Sequence, residues 1–146
     1  MRIILIFTAF ISFNSCDPMD DRLTIQNNTN QDLFARFCFV EGNELHDTWA
    51  GVRPVQKNEE NVIAILGNWK SEFNQSKPID LHVIIHDDYN LLAELDESKW
   101  KAKSDSLIRV GEYRYKTYSY NDLNSRDWKI IYPDNGFDNG IPIGSD

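Results

Sequence analysis

The chain has 146 residues, enough for one domain with a real hydrophobic core. Its 15 basic and 23 acidic residues give a formal net charge of −8, which repels phosphate backbones and anionic lipid headgroups. The composition therefore argues against nucleic-acid binding and against membrane attachment through a basic patch.

The first fifteen residues have the pattern of a secretory signal. Arg2 is the only charge before Asp17, and residues 3–13 are almost wholly apolar. As a helix this run rises only about 16 Å, whereas the apolar core of a bilayer is about 30 Å thick. We therefore predict that residues 1–15 are a signal peptide and not a permanent membrane span.

The signal ends in a sequence that resembles the bacterial lipobox, Phe13-Asn14-Ser15-Cys16. In that motif the cysteine becomes the first mature residue and carries acyl chains such as palmitate. Ser15 matches the small residue that precedes the cysteine, whereas Phe13 and Asn14 depart from the usual pattern. We predict acylation of Cys16, and several acyl chains hold a protein stably at a membrane. The alternative is a soluble secreted protein in which Cys16 is a plain thiol.

The residues that follow Cys16 are acidic. Asp17, Asp20 and Asp21 crowd the new N-terminus, together with Pro18. They resemble the acid-rich signals that send some Gram-negative lipoproteins to the outside of the outer membrane. We therefore predict an acidic tether over residues 16–21 and an outer-membrane, surface-exposed location. Loss of Arg2 with the signal leaves 14 basic and 23 acidic residues, a charge of −9.

The second cysteine, Cys38, lies in the apolar run Phe37-Cys38-Phe39. If Cys16 is acylated, Cys38 has no partner within the chain and is a small buried hydrophobic residue. If Cys16 is not acylated, a Cys16–Cys38 disulfide is open to the chain in an oxidising compartment. The two interpretations exclude each other.

The first half of the mature chain has the alternation of β-strands. Residues 22–28 and 33–40 form a predicted hairpin in which Leu33, Ala35, Phe37 and Phe39 share an apolar face. Residues 62–66 and 79–86 are two further predicted strands. The polar segments between them, residues 41–61 and 71–78, are predicted loops.

The second half begins with a different pattern. Apolar residues recur at roughly helical spacing over residues 87–106, which predicts a short helix capped by Asp96 or Ser98. Residues 107–110, 113–118 and 128–132 have strand composition, and residues 119–123 predict one helical turn. The Gly-rich tail, residues 134–146, is expected to wrap the surface or fray.

These elements place the β-rich domain over residues 22–133. About seven short strands with one or two short helices predict a mainly β fold. We expect a β-sandwich, for which an immunoglobulin-like layout is one option. A small α+β fold is the main rival.

Four scattered pieces of the chain resemble a loose group of small bacterial surface lipoproteins that have no assigned activity. They are the signal with Cys16, the hairpin LTIQNNTNQDLFARF, the strand LHVIIHDD and the closing DLNSRDWKIIYP. The resemblance implies a β-rich domain exported to the envelope. It implies no catalytic residues.

Two segments carry residues that can bind metals. His82, His86 and Asp88 share one side of a strand, but the two histidines are about 13 Å apart along it, too far for one ion. Residues 134–140 (DNGFDNG) offer oxygens of the kind that calcium prefers, yet lack the distal Glu of a calcium loop. We favour a polar outer strand face for the first and a plain turn for the second. The sequence thus predicts neither a metal nor a cofactor.

The sequence has no nucleotide-binding, hydrolase or metalloprotease motif, and this argues against an enzyme without excluding one. Trp100 and Trp128 lie in patterned segments that predict core positions. Trp49 and Trp69 lie in predicted loops beside glycine, where an aromatic side chain can stack on a sugar ring or anchor a protein.

We therefore predict a non-enzymatic envelope lipoprotein that binds a glycan or protein partner near Trp49 and Trp69, or has a structural role. The alternative is a small secreted hydrolase of glycans or peptides. A pocket that brings His82 or His86 to a carboxylate and a hydroxyl would favour that alternative.

Overall fold

The computed structural model describes residues 18–75 and 80–144. The predicted signal peptide, Cys16 and Asp17 lie outside these described residues. The chain is mainly β, as predicted, but has four helices where one or two were expected. The strands are β1 (Met19–Asn27), β2 (Leu33–Glu41), β3 (Glu44–Val55), β4 (Glu60–Leu66), β5 (Leu81–His86), β6 (Arg114–Tyr118), β7 (Lys129–Tyr132) and β8 (Asp138–Asn139). The helices are α1 (Trp69–Gln75), α2 (Asn90–Ala93), α3 (Glu97–Arg109) and α4 (Tyr120–Ser125).

The strands form two sheets that resemble a sandwich. One sheet has three strands in the order β4–β1–β7, and the other has five in the order β3–β2–β5–β6–β8. β1 pairs antiparallel with β4 but parallel with β7. The parallel pair differs from the antiparallel sheets of an immunoglobulin layout.

The main core lies between the two sheets. Alternation with period two sends one face of each strand inward, so the predicted apolar face of β2 is confirmed. The core residues of the two central strands are all buried: Leu23 and Ile25 of β1, and Leu33, Ala35, Phe37 and Phe39 of β2.

The five-stranded sheet is also covered on its other face. Phe34 packs with Leu92 of α2 and Leu107 of α3, and Cys38 and Ile84 pack with Ile108. This second layer explains why every residue of β2 from Leu33 to Phe39 is buried. A β-strand that is covered on both faces loses the alternation of polar and apolar residues.

Two predictions in the second half are confirmed. The helix expected within residues 87–106 is present as α2 and α3, and Asp96 occupies the N-cap position of α3. The helical turn expected at residues 119–123 is α4. It begins with a capping box in which Ser119 and Asp122 bond each other's backbone N–H groups.

The loop predicted over residues 41–61 is wrong, because most of this segment is β3. β3 is an edge strand with much of its length exposed, and its apolar side chains do not all share one face. A bulge interrupts its period-two pattern. Pro54 is tolerated because an edge strand has a free side.

Two helical segments were also predicted wrongly. The loop predicted over residues 71–78 begins with α1, whose Trp69 and Phe73 are buried one turn apart. Asn68 Oδ1 accepts the Ser71 N–H at 2.8 Å, as an N-cap does. The strand predicted over residues 107–110 is the last turn of α3, which ends before Gly111 at φ +77°.

Both ends of the domain extend further than predicted. β1 begins at Met19, inside the predicted tether of residues 16–21, and the nearly buried Asp20 accepts the Trp69 N–H at 3.0 Å. Most described residues of the tail are exposed, as in a segment that wraps the surface, but two contacts hold the tail to the domain. β8 pairs with β6, and Phe137 is buried in the main core.

Gly140 fixes the tail against Tyr113, so we predict that Gly140→Ala destabilises the fold. An added Cβ would lie 2.4 Å from Tyr113 Cδ1 and 2.8 Å from the Gly111 carbonyl oxygen. Overpacking of this kind costs about 1–3 kcal/mol. A lower urea midpoint would show the loss. Asn139→Ala, at an exposed neighbouring position, is the control, and an equal effect of both substitutions would contradict the prediction.

Candidate functional site: the groove beside Trp49

The four tryptophans differ sharply in exposure. Trp49 is 65% exposed, whereas Trp69 is 0% exposed and Trp128 is buried. Trp100 is half-buried. The prediction that Trp69 lies near a binding surface is therefore wrong, because α1 turns its indole into the core between the sheets. Trp49 is the tryptophan that a partner can reach.

A bulge in β3 carries Trp49. Cys38 of β2 pairs with Asp47, but the preceding Phe37 pairs with Gly51, so Thr48, Trp49 and Ala50 are extra residues on β3. Gly51 has φ +56°, a conformation that suits glycine. Bulges re-aim side chains and recur beside functional sites.

Hydrogen bonds hold this bulge in one conformation. The buried Thr48 hydroxyl donates to the Phe37 carbonyl at 2.8 Å and accepts the Ala50 N–H at 3.2 Å. Arg53 Nε donates to the Ala50 carbonyl at 2.7 Å. Thr48 and Ala50 point inward and Trp49 outward, so the exposed indole is held by a built turn.

Trp49 borders a groove with a volume of about 580 Å³. One wall is β3, the other is the first turn and a half of α3, and β4 contributes the residues between them. Its lining includes Trp49, Arg53, Val62, Glu97, Trp100 and Lys101. β3 and β4 are edge strands of different sheets, so the groove opens where the sheets part.

Trp100 forms the aromatic part of the opposite wall. Its Nε1 donates to the Leu95 carbonyl at 3.1 Å, and its ring meets Phe34 edge-on with 4.9 Å between centroids. The indole is thus fixed in orientation. The sequence predicted a core position for Trp100, and the structure places it half in the core and half in the groove.

Arg36 ties the two walls together. It is 0% exposed, and it donates from Nε to Asp47 at 2.7 Å and from Nη1 to Asp105 at 2.6 Å. Asp47 is on β3 and Asp105 is on α3. Lys101 lies 3.2 Å from both carboxylates.

Charge pairing decides the ionisation of this network. Burial alone would lower the pKa of Arg36, but the bonds to Asp47 and Asp105 outweigh it and raise that pKa. Burial likewise opposes ionisation of Asp105, yet Arg36 and Lys101 lower its pKa. Arg36 and Asp105 are therefore both charged at neutral pH.

His86 extends the network below α3. The sequence favoured a polar outer face for His82, Ile84 and His86, but this face is covered by α3 and His86 is buried. His86 Nε2 lies 2.8 Å from Ser104 Oγ, which accepts from Arg36 Nη1 at 3.2 Å. Burial lowers the His86 pKa to about 4.

The hydrolase alternative called for a pocket that brings a histidine to a carboxylate and a hydroxyl. His86 does line a cleft of about 300 Å³ together with Asp87, Asp88, Glu112 and Tyr113, but the hydroxyls near it do not suit catalysis. The Tyr113 hydroxyl donates to the Ile141 carbonyl at 2.6 Å. Ser104 is fully buried, so a substrate carbonyl has no approach to its hydroxyl. Within the described residues, no carboxylate accepts from His86 Nδ1, as the orienting acid of a triad does.

The segments considered for metals have other roles. Within residues 18–75 and 80–144, no three His, Cys, Asp or Glu side chains gather as metal ligands. His82 stacks on Tyr115 with 6.0 Å between ring centroids, and Asp88 accepts the Asn90 N–H. In the DNGFDNG segment, Asp134 pairs with Lys116 at 3.0 Å.

Cys38 is fully buried and has no disulfide partner among the described residues. Burial raises its pKa to about 12, so it is a thiol and not a thiolate at neutral pH. Because Cys16 lies outside the described residues, acylation and the disulfide both stay predictions.

Comparisons with protein-family models, with curated proteins and with solved structures found no match. In the part of the chain that the structure describes, no helix is long and apolar enough to cross a membrane. The resemblance to small surface lipoproteins therefore remains a prediction.

We predict that stability falls as the pH drops from 7 to 5, because buried His86 stays neutral while the unfolded chain takes up a proton. The folded pKa of His86 is about 4 and its unfolded pKa is near 6.5. The contribution of neutral His86 to stability is therefore fully present above pH 6.5 and is lost progressively between pH 6.5 and about pH 4. Between pH 7 and 5 the loss is about 2 kcal/mol.

Urea unfolding at both pH values measures this loss. Substitution His86→Gln should flatten the difference, whereas His46→Gln, at an exposed position on β3, should leave it unchanged. His82 also has a pKa lowered by burial, but it is present in all these proteins. Equal pH dependence in the parent and His86→Gln would contradict the prediction.

Proposed function

We propose that this protein is an envelope lipoprotein, anchored to the outer membrane through acyl chains on Cys16, that binds a glycan or protein through the Trp49 groove. The observation that carries the proposal is the exposure of Trp49 on a hydrogen-bonded bulge. Leaving a large indole 65% exposed forgoes the free energy of its burial. A partner that covers it would recover that energy.

The arrangement of the groove supports binding without catalysis. Its walls are fixed by Arg36, and Trp49 and Trp100 offer rigid aromatic surfaces on opposite sides. Rigid aromatic side chains lose little conformational entropy on binding, which favours affinity. Ser104, the hydroxyl beside His86, is by contrast fully buried.

The start of β1 supports a close attachment to the membrane. Met19 is three residues after Cys16, and three residues span at most about 10–11 Å. An acylated Cys16 would therefore hold the domain against the membrane surface and not on a long stalk. The apolar side chains of Met19 and Leu66 are exposed at that end of β1 and β4.

One experiment on the full chain in Gram-negative cells tests both parts of this proposal. A photo-reactive phenylalanine analogue replaces Trp49, and cells are irradiated before fractionation. We expect the protein in the membrane fraction, an acylated N-terminal peptide beginning at Cys16, and cross-links from position 49. Inhibition of lipoprotein signal peptidase should block the cleavage before Cys16.

Two matched proteins serve as controls. The same analogue at Val110, which is 62% exposed at the far end of α3, should give no cross-link. Cys16→Ser should move the protein out of the membrane fraction.

An unacylated N-terminus would refute the anchor and make Cys16–Cys38 pairing the next measurement. Equal cross-linking from positions 49 and 110 would refute the binding groove.

A further inference from the structure

We infer that the ligand of the Trp49 groove is a neutral oligosaccharide. This inference rests on the proposed function, because it assumes that the groove is a binding surface. It goes further by choosing one ligand class from the aromatic, polar and charged groups that line the groove.

The aromatic groups favour a sugar. Trp49 on β3 and Trp100 on α3 lie on opposite walls of one open groove. The C–H face of a pyranose ring packs on an indole, and a chain of sugars can use two such surfaces in sequence. Before binding, the Trp100 indole is fixed by its bond to Leu95, and the backbone that carries Trp49 is fixed by the hydrogen bonds of the bulge.

The polar groups fit hydroxyls. Glu97 can accept hydrogen bonds, and Arg53 and Lys101 can donate them, so donors and acceptors both line the groove. A sugar hydroxyl both donates and accepts, and it matches such a mixed lining. The charged and amide side chains of the lining, Arg53, Asn61, Glu97 and Lys101, are unfavourable for the apolar face of an amphipathic helix.

The charges favour a neutral ligand. The charge of Lys101 is balanced by Asp47 and Asp105, whereas Arg53 bonds the neutral Ala50 carbonyl and keeps its charge. Glu97 adds a negative charge, and the whole chain carries −8. An anionic polymer would meet repulsion and no unpaired cation cluster. The groove volume of about 580 Å³ suits a short stretch of sugars.

Calorimetric titration tests the inference with three neutral hexasaccharides as probes: β-1,4-linked glucose, α-1,4-linked glucose and β-1,4-linked N-acetylglucosamine. We expect at least one to bind the parent protein. Trp49→Ala should weaken that binding about ten-fold or more, because it removes the projecting stacking surface. Trp49→Phe keeps an aromatic ring and should restore part of the affinity.

The control Val110→Ala removes an exposed apolar side chain outside the groove and should bind like the parent. Because Trp49 is mostly exposed, the urea midpoint of Trp49→Ala should match that of the parent, which separates lost binding from lost folding. Equal sugar affinity in the parent and Trp49→Ala would overturn the inference.

Failure of this inference differs from failure of the proposed function. If no hexasaccharide binds but position 49 cross-links a protein in cells, the sugar inference falls and the binding groove stands. If position 49 neither cross-links nor responds to sugars, both fall.

Discussion

The buried guanidinium of Arg36 is the interaction on which the rest of this structure depends. It stands in the centre of an apolar strand, on the face that α3 covers, and an unpaired charge there would cost several kcal/mol. Asp47 and Asp105 meet it from β3 and α3 at 2.7 and 2.6 Å. One charge thus determines where two other elements lie, and removing one partner of such a buried pair costs about 3–5 kcal/mol.

The groove follows from that constraint. Asp47 directly precedes the bulge that carries Trp49, and Asp105 is one helical turn from Lys101 and two from the groove end of α3. Fixing Asp47 and Asp105 on the same guanidinium therefore sets the width between the walls. The sheet is covered on one face by the main core and on the other by α3, so binding is left to its edge. The edge is where the chain exposes its one mostly exposed tryptophan among the described residues.

How far the fold could be predicted from the sequence depends on the spacing of apolar residues in each segment. A continuous apolar face, with residues two apart, predicted β2 and β5 as strands and predicted which residues face the main core. It did not predict the second covered face, where Phe34, Cys38 and Ile84 are also buried. β3 was predicted as a loop because it is an exposed edge strand broken by a bulge. Its apolar residues therefore do not recur at every second position, as those of a half-buried strand do. Trp69 was misplaced because α1 is short, although Asn68 followed by Trp69 and Phe73 gives a cap and one helical face. Arg36 amid apolar neighbours signals a buried ion pair, but its partners are 11 and 69 residues away, and one sequence does not identify them.

A double-mutant cycle on Asp47 and Asp105 tests the central role of Arg36 most directly. Each single change, Asp47→Asn or Asp105→Asn, leaves Arg36 one carboxylate, whereas the double change leaves a buried cation without either. If Arg36 couples the two carboxylates, the free energy of unfolding should fall in the double mutant by at least about 1 kcal/mol more than the sum of the single losses. Glu60→Gln, which breaks a surface pair with Lys129, should be additive with Asp105→Asn. If the losses for Asp47→Asn and Asp105→Asn add within about 0.5 kcal/mol, Arg36 does not couple β3 to α3, because the two walls are then held independently.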